Sequence, residues 1–241
     1  MATTERDAKN EEVALSVVVL AYNEEDTIED CVQRVVRVCD DLKITYEVVI
    51  VEDGSTDNTL EVARRLCRDT HEVRCVRHPV NCGSGRAIRS GVEASRGERI
   101  IYVPADGQFD VKEIGRFLHA AQLADIVIGA RLSRHDYTSF RLLSSGVFLA
   151  MVRMLFGTTF RDVNWVHLWH RRVFEGINVR CEGVFLLEEI IVRAKRKGYS
   201  FIEIESVYQP RQGGEATGGN PRTILKTLKE MAAVRIEMWV N

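Results

Sequence analysis

Residues 15–25 read LSVVVLAYNEE. Leu15–Leu20 is an apolar, β-branched run of strand length, as expected of a strand covered on both faces. The polar turn AYNEE follows. Apolar positions then recur at Ile28, Val32, Val35, Val36, Cys39 and Leu42, close to the 3.6-residue period of a helix with one buried stripe. A strand buried on both faces, a polar turn and an amphipathic helix form the repeating unit of a parallel α/β sheet.

The unit recurs on the C-terminal side. YEVVIV (46–51) reads as a second strand, followed from Asp57 by a helix with Leu60, Ala63, Leu66 and Cys67 inward. A third strand is predicted near Val73–Arg77, and the turn NCGSG (81–85) opens a helix through Ile88 and Val92. RIIYV (99–103) is the fourth strand, and a helix over 111–123 leads to DIVI (125–128). The second half is less regular. It offers a broadly apolar helix over Leu142–Phe156, then RDVNWVHLWHRR (161–172), which reads as a strand or as a loop into a turn. A helix over Val184–Lys197, a strand over Phe201–Val207 and the Gly-rich loop RQGGEATGGNP (211–221) follow. Pro221 starts a last helix with Ile224, Leu225, Leu228, Met231, Ala232 and Trp239 on one face. The expected fold is α/β: one domain over 13–241, after a flexible stretch at 1–12, with a doubly wound, mostly parallel sheet flanked by helices.

Composition agrees. A chain of 241 residues, 45% hydrophobic and 28% charged, can bury a sizeable core, which excludes disordered, collagenous and disulfide-scaffold classes. The polar start MATTERDAKNEE does not read as a signal peptide, and no apolar run reaches the roughly 18–20 residues of a membrane span. Six cysteines without a C-x-x-C pair read as reduced thiols of a cytoplasmic protein, not a zinc site. The net charge of −2 argues against a nucleic-acid binder. It conceals an asymmetry: residues 1–125 carry 16 Lys/Arg and 24 Asp/Glu, net −8, and the remainder 17 and 11, net +6. A basic second half suits an anionic partner such as phosphate or lipid headgroups.

Three loops, AYNEE (21–25), EDGSTD (52–57) and PADGQFD (104–110), follow successive predicted strands and so meet at the carboxyl edge, where such sheets bind ligands. Converging carboxylates repel unless a cation lies between them. Asp106 with Gln108 offers two hard oxygen ligands suited to Mg²⁺ or Mn²⁺, and a dication held by so few protein groups usually completes its shell with substrate phosphates.

The ordered segments SVVVLAYNEEDTI, VVIVEDGSTDNT and NCGSGRAIRSGVEASRGERIIYVPADGQFD resemble the successive motifs of family 2 glycosyltransferases with the GT-A fold. GARLSRHDYTSFRLLSSG, FGTTFRDVNW, FLLEEIIVRAKRKGYSFIEIES and RQGGEAT extend the resemblance toward enzymes of the dolichol- and polyprenol-phosphate mannose synthase type. The resemblance implies a nucleotide-sugar-binding half at 13–130 and an acceptor half at 131–241. It places the nucleotide sugar near Ala21, Tyr22, Glu24, Asp53, Gly83, Arg86, Ala105 and Asp106, and the metal at Asp106 and Gln108. Arg131, Arg141 and Arg211 match phosphate-facing positions, and Asp106, Asp162 and Arg131 would carry catalysis. Two departures stand out: Pro104 occupies the first acid position of the metal motif, and Glu52 replaces a commoner aspartate. Asn164-Trp165-Val166-His167 also stands where small residues are usual, and His167 and His170 read as packing or surface residues.

The implied reaction is an inverting transfer of a sugar from a GDP-mannose- or UDP-hexose-type donor to a phosphorylated polyprenol. A soluble hydroxyl acceptor, or a donor-binding protein with impaired catalysis, are the alternatives. The loop at 211–220 suits a lid over bound donor. The last helix also carries Arg222, Lys226, Lys229 and Arg235 beside Leu225, Leu228, Ala232 and Trp239, so it either lies on a membrane surface or packs that apolar face on the core. Oligomeric state is left open.

Overall fold

The computed structural model describes residues 12–132, 139–211 and 221–240, apart from the side chains at 139–141, 143, 221, 222 and 240. The expected flexible start, the Gly-rich loop after Arg211 and the side chains of Arg141 and Arg222 therefore lie outside the described residues. The strands are β1 (Leu15–Ala21), β2 (Tyr46–Glu52), β3 (Val73–Arg77), β4 (Arg99–Pro104), β5 (Ile126–Arg131), β6 (His167–His170) and β7 (Phe201–Ser206). The helices are α1 (Ile28–Asp41), α2 (Thr59–Asp69), α3 (Ser84–Ala94), α4 (Ile114–Ala120), α5 (Ser139–Phe156), α6 (Arg172–Gly176), α7 (Leu186–Arg196) and α8 (Pro221–Val240).

The strands form one sheet in the order β3-β2-β1-β4-β6-β5-β7. All pairs are parallel except those made by β6, which runs against both β4 and β5. The segment that the sequence left open as strand or loop is thus the one reversed strand. Its pleat explains why: Leu168 points into the core under one face, Trp169 into the core under the other. Strand side chains elsewhere divide in the same way. Val17, Val19, Val48 and Ile50 pack with α1, α2 and α4, whereas Val18, Val49, Val51 and Ile100 pack with α3, α7 and α8. Both faces are covered, which is why β1 and β2 read as unbroken apolar runs.

α8 corrects one expectation. Thr227, Met231 and Val234 face the core, whereas Leu225, Leu228, Ala232, Ile236 and Trp239 face away from it. Met231 does not belong with that outer set, and the outer apolar face does not pack on the core: Ile236 is 64% and Trp239 83% exposed. Among the described residues no helix is long and apolar enough to cross a membrane.

At the amino edge of the sheet, opposite the loops of interest, Glu47 of β2 is buried. It accepts hydrogen bonds from Ser16 Oγ (2.6 Å), Arg74 Nε (2.8 Å) and Arg96 Nε (3.0 Å). Burial alone would raise its pKa, but the bonds from Arg74, Ser16 and Arg96 outweigh it and hold the carboxyl at about 2. A depressed folded-state pKa contributes stability above the unfolded value, near 4.5, that is lost as pH falls toward 2. Urea unfolding between pH 6 and 2 should therefore show Glu47→Gln losing on the order of 3 kcal/mol less than wild type across that window.

Candidate functional site

The carboxyl ends of β1, β2 and β4 are in register: Ala21 pairs with Glu52 and Leu20 with Pro104. The three acidic loops therefore leave the sheet side by side. Two of them are cross-tied. The Asn23 side-chain oxygen accepts the Thr56 amide (2.9 Å), Ser55 Oγ the Asn23 amide (3.1 Å), Thr59 Oγ1 the Glu24 amide (2.8 Å), and Glu25 the Asn58 amide (2.9 Å). Asp57 accepts from Glu25 and Thr59. Much of NEE and STDNT is thus consumed in holding these loops together, which frees Tyr22, Glu24 and Asp53 to face the space between them.

That space is a cleft of about 570 Å³. Of the sequence-derived residues, Ala21, Tyr22, Glu24, Asp53, Gly83, Ala105, Asp106 and Arg211 line it. Asp53 builds one wall. Its Oδ2 accepts the Gly83 amide (2.8 Å), and its Oδ1 the Cys82 amide (2.9 Å) and the His78 ring nitrogen Nδ1 (2.6 Å). Gly54, at φ +69°, turns the chain where a Cβ would strike the backbone of Val80 and Asn81. Gly85 in the first turn of α3 abuts the Gly183 carbonyl, so any side chain there would push α3 off the 182–183 loop. The amino end of α3, with its free amides, opens onto the cleft through Ser84 and Gly85.

The opposite wall carries charge. Glu24 is 6% and Asp106 5% exposed, and Arg211 reaches both, at 3.8 Å from Glu24 and 3.0 Å from Asp106. Burial pushes the Glu24 carboxyl up and Asp106 adds to the shift; burial likewise pushes Asp106 up. Two carboxylates raised in this way favour a bound cation. The donors fit a hard dication at Asp106, with Glu24 facing the same guanidinium. Gln108 fits less directly: its amide nitrogen donates to the Tyr208 hydroxyl, and it is not among the lining residues.

Other expected residues lie elsewhere. Arg86 pairs with Glu182 (3.2 Å) at the rim and does not line the cleft. Arg131 and Asp162 come together, but onto each other. Their side chains are buried and joined by bonds of 2.6 and 3.0 Å, and the guanidinium lies 5.1 Å from the Trp165 ring centre. Behind them His167 is fully buried, and burial pushes its pKa down to about 3, so it is neutral, as its reading as a packing residue requires. His170 is half-buried. Sequence reasoning missed His78, Glu182, Gly183, Thr223 and Thr227, the last four of which line the cleft, and Lys226, read there as part of the basic set of the last helix, lines the cleft as well. It also missed Glu188, fully buried, its carboxyl pushed well above the usual carboxylate range by desolvation. Lone polar residues in apolar-periodic segments carry no local sign of what they meet across the fold.

The model of glycosyl transferase family 2 matches residues 16–177. The chain belongs to this family. It is 27% identical over 206 residues to the undecaprenyl-phosphate 4-deoxy-4-formamido-L-arabinose transferase of Proteus mirabilis, covering 84% of this chain and 62% of that one. It is 28% identical over 209 residues to the glycosyltransferase AglD of Haloferax volcanii, covering 83% of this chain and 34% of the relative. The chain thus spans less than two thirds of the length of these relatives. Among solved structures it is similar to glucosyl-3-phosphoglycerate synthase from Mycobacterium tuberculosis in complex with Mn²⁺, UDP-glucose and phosphoglyceric acid. That likeness has a TM-score of 0.70 at 17% identity over 92% of this chain and 80% of the other. The fold is GT-A.

The Arg131–Asp162 pair gives a stability prediction. Asp162→Ala leaves a buried guanidinium without its bidentate partner and should cost about 3–5 kcal/mol in urea unfolding. Replacing both residues with apolar ones of similar size should cost less than that single change.

Proposed function

We propose that the chain transfers a sugar, with inversion, from a nucleotide-sugar donor to a phosphorylated polyprenol-like acceptor. The observation that carries this reading is the cleft at the carboxyl ends of β1, β2 and β4, with buried Glu24 and Asp106 facing Arg211 across from the amino end of α3. Family membership and the polyprenyl-phosphate sugar transferases among the relatives support it.

In this reading Tyr22 and Asp53 flank the base and ribose, and the amides at the start of α3, Ser84 and Gly85, together with the basic groups Arg211 and Lys226, face the diphosphate. Arg211 exchanges its carboxylate partners for phosphate oxygens, which its planar fork suits. Asp106 would hold Mg²⁺ or Mn²⁺, which when bound would neutralise charge on the departing nucleotide diphosphate as a Lewis acid. Arg141 remains a candidate for the acceptor phosphate, whereas Arg131 would first have to exchange Asp162 for it. A phosphomonoester acceptor, with a second pKa of about 6, is largely ionised at neutral pH and requires no strong base. A hydroxyl acceptor would require one, and Asp162, locked to Arg131, would first have to leave its partner. That geometry favours the phosphate acceptor. Pro104 favours a second reading, in which donor binds without transfer, because it removes one acid from the metal motif.

A thermal-shift panel of GDP- and UDP-sugars with Mn²⁺ identifies the donor by the rise in Tm, and partition of labelled product into organic solvent separates lipid from soluble acceptors. Tm raised without any product, with either acceptor class, would establish the second reading. Asp106→Ala should retain its Tm, since it removes a desolvated carboxylate, while kcat/KM falls more than about tenfold, over roughly 1.4 kcal/mol of transition-state stabilisation.

We further propose that α8 lies on the membrane surface that presents the acceptor. Its outward apolar residues are flanked by Lys229 and Arg235, and the acids Glu230 and Glu237 turn inward, to the Gly183 amide and to Arg193. Each basic residue near an anionic surface adds about 1 kcal/mol. Trp165 and Trp169 are buried, so Trp239 dominates any change in emission. Anionic vesicles should shift that emission to the blue at low salt and less at high salt; neutral vesicles should do so weakly. Equal response to both lipids would leave the helix without an electrostatic docking role.

A further inference from the structure

Among the described residues, one group of nitrogen, oxygen and sulfur donors converges outside the carboxylate wall of the cleft. Asp53 follows β2, His78 follows β3, and Cys82 lies in the loop that leads from β3 into α3. A carboxylate oxygen of Asp53, a ring nitrogen of His78 and the Cys82 sulfur all lie within 4.8 Å of one another. We propose that these three residues form a transition-metal site, suited to Zn²⁺ or Co²⁺, set into the cleft wall and distinct from the hard-cation position at Asp106.

Three features carry the assignment. The first is donor chemistry. A thiol, an imidazole and a carboxylate select zinc-like ions over Mg²⁺ and Mn²⁺, whereas Asp106 and Glu24 offer oxygen alone. Three protein ligands and a fourth position open to solvent is the arrangement of an accessible zinc centre, and Asp53 and Cys82 both line the cleft.

The second is orientation. A metal-bound imidazole is normally fixed by a hydrogen bond at its other nitrogen. The far nitrogen of His78, Nε2, lies 2.9 Å from Ser90 Oγ of α3, which leaves Nδ1 aimed at Asp53. Asp53 is held in turn by the Gly83 amide at 2.8 Å. Both ligands are buried and already oriented.

The third is the small movement required. Nδ1 and Oδ1 lie 2.6 Å apart and share a proton. An ion at zinc bond lengths would spread them to roughly 3.3 Å and take the place of that proton. Cys82 is the exposed cysteine of the chain, and its thiol donates to the Val80 carbonyl (3.3 Å), a weak bond that it can give up to swing toward the ion. Binding releases the Cys82 thiol proton to solvent, while the ring proton moves from Nδ1 to Nε2, which then donates to Ser90 Oγ. Cys31, Cys39 and Cys181 are buried and their thiols are pushed up by desolvation, so they do not compete.

Occupancy draws Asp53 and Cys82 toward the ion and away from the cleft. Zn²⁺ should then antagonise donor binding where Mn²⁺ supports it. This arm alone rests on the donor reading of the cleft.

Co²⁺ titrated into chelator-treated full-length chain tests the site by absorption. The expected result is one equivalent of cobalt with a thiolate-to-metal charge-transfer band and visible bands of tetrahedral intensity, bleached by Zn²⁺ and accompanied by proton release. Cys82→Ser, a change at an exposed position, should abolish the charge-transfer band with an unchanged circular-dichroism spectrum. Ser90→Ala should weaken binding by about tenfold or more through loss of the ring's second anchor. Absence of the band in wild type, or its persistence in Cys82→Ser, overturns the proposal whatever the donor does. Loss of donor binding with the cobalt spectrum intact would instead overturn the donor reading and leave the metal site standing.

Discussion

Two carboxylates buried in one cleft need a counter-charge, and the site is organised around that need. Glu24 and Asp106 come from different loops, yet the register of β1 with β4 sets them on one edge with little access to water. Burial disfavours ionising either. Arg211, which follows β7 and its bridge residue Tyr208, reaches across the sheet to both. The cleft is therefore a place where positive charge is required, and Arg211 supplies it from a loop. A site built this way binds its ligand by substitution of ion pairs, and the cost of desolvating the acids is already met by the fold.

The second wall is built from a single carboxylate. Asp53 accepts two successive amides, from Cys82 and Gly83, and so gives the turn before α3 its shape. Around it the other polar residues of the first two loops serve mainly one another. Asn23, Ser55, Asp57 and Thr59 lock those loops, and the motif's apparent richness in ligands resolves into a few residues facing the cleft and several that hold them there.

The extent to which this was legible in the sequence follows from the range of the interactions. β1, β2, β3 and β4 and their helices carry periodic local signals, and their boundaries agree with the sequence reading to within a few residues. Convergence of Glu24, Asp53 and Asp106 follows from parallel pairing alone, so it too could be read. β6 was ambiguous because four residues between two strands of opposite direction show neither a clean alternation nor a helical period. The orientation of α8 was left open, and Met231 was grouped with the wrong face, because the inward stripe is narrow and mixed: Thr227 and Val234 face inward with Met231, while larger apolar residues face out. The mutual engagement of Arg131 with Asp162, and the entry of Glu182 and Gly183 into the cleft, depend on contacts between segments far apart in the chain. A motif names residue types; it does not say which of two charged residues will take the other as its partner.

The reversed strand has a mechanical consequence. β6 comes from the second half of the chain, yet it is hydrogen-bonded on one side to β4 and on the other to β5, both from the first half. The halves are stitched through the middle of one continuous sheet. A hinge of the kind that lets two lobes close on a ligand would have to break that ladder. Enclosure of anything in the cleft therefore falls to the loops at its rim, and the body beneath acts as a stiff anvil, so small displacements at Arg211 or the 182–183 loop change the fit without being absorbed by the fold.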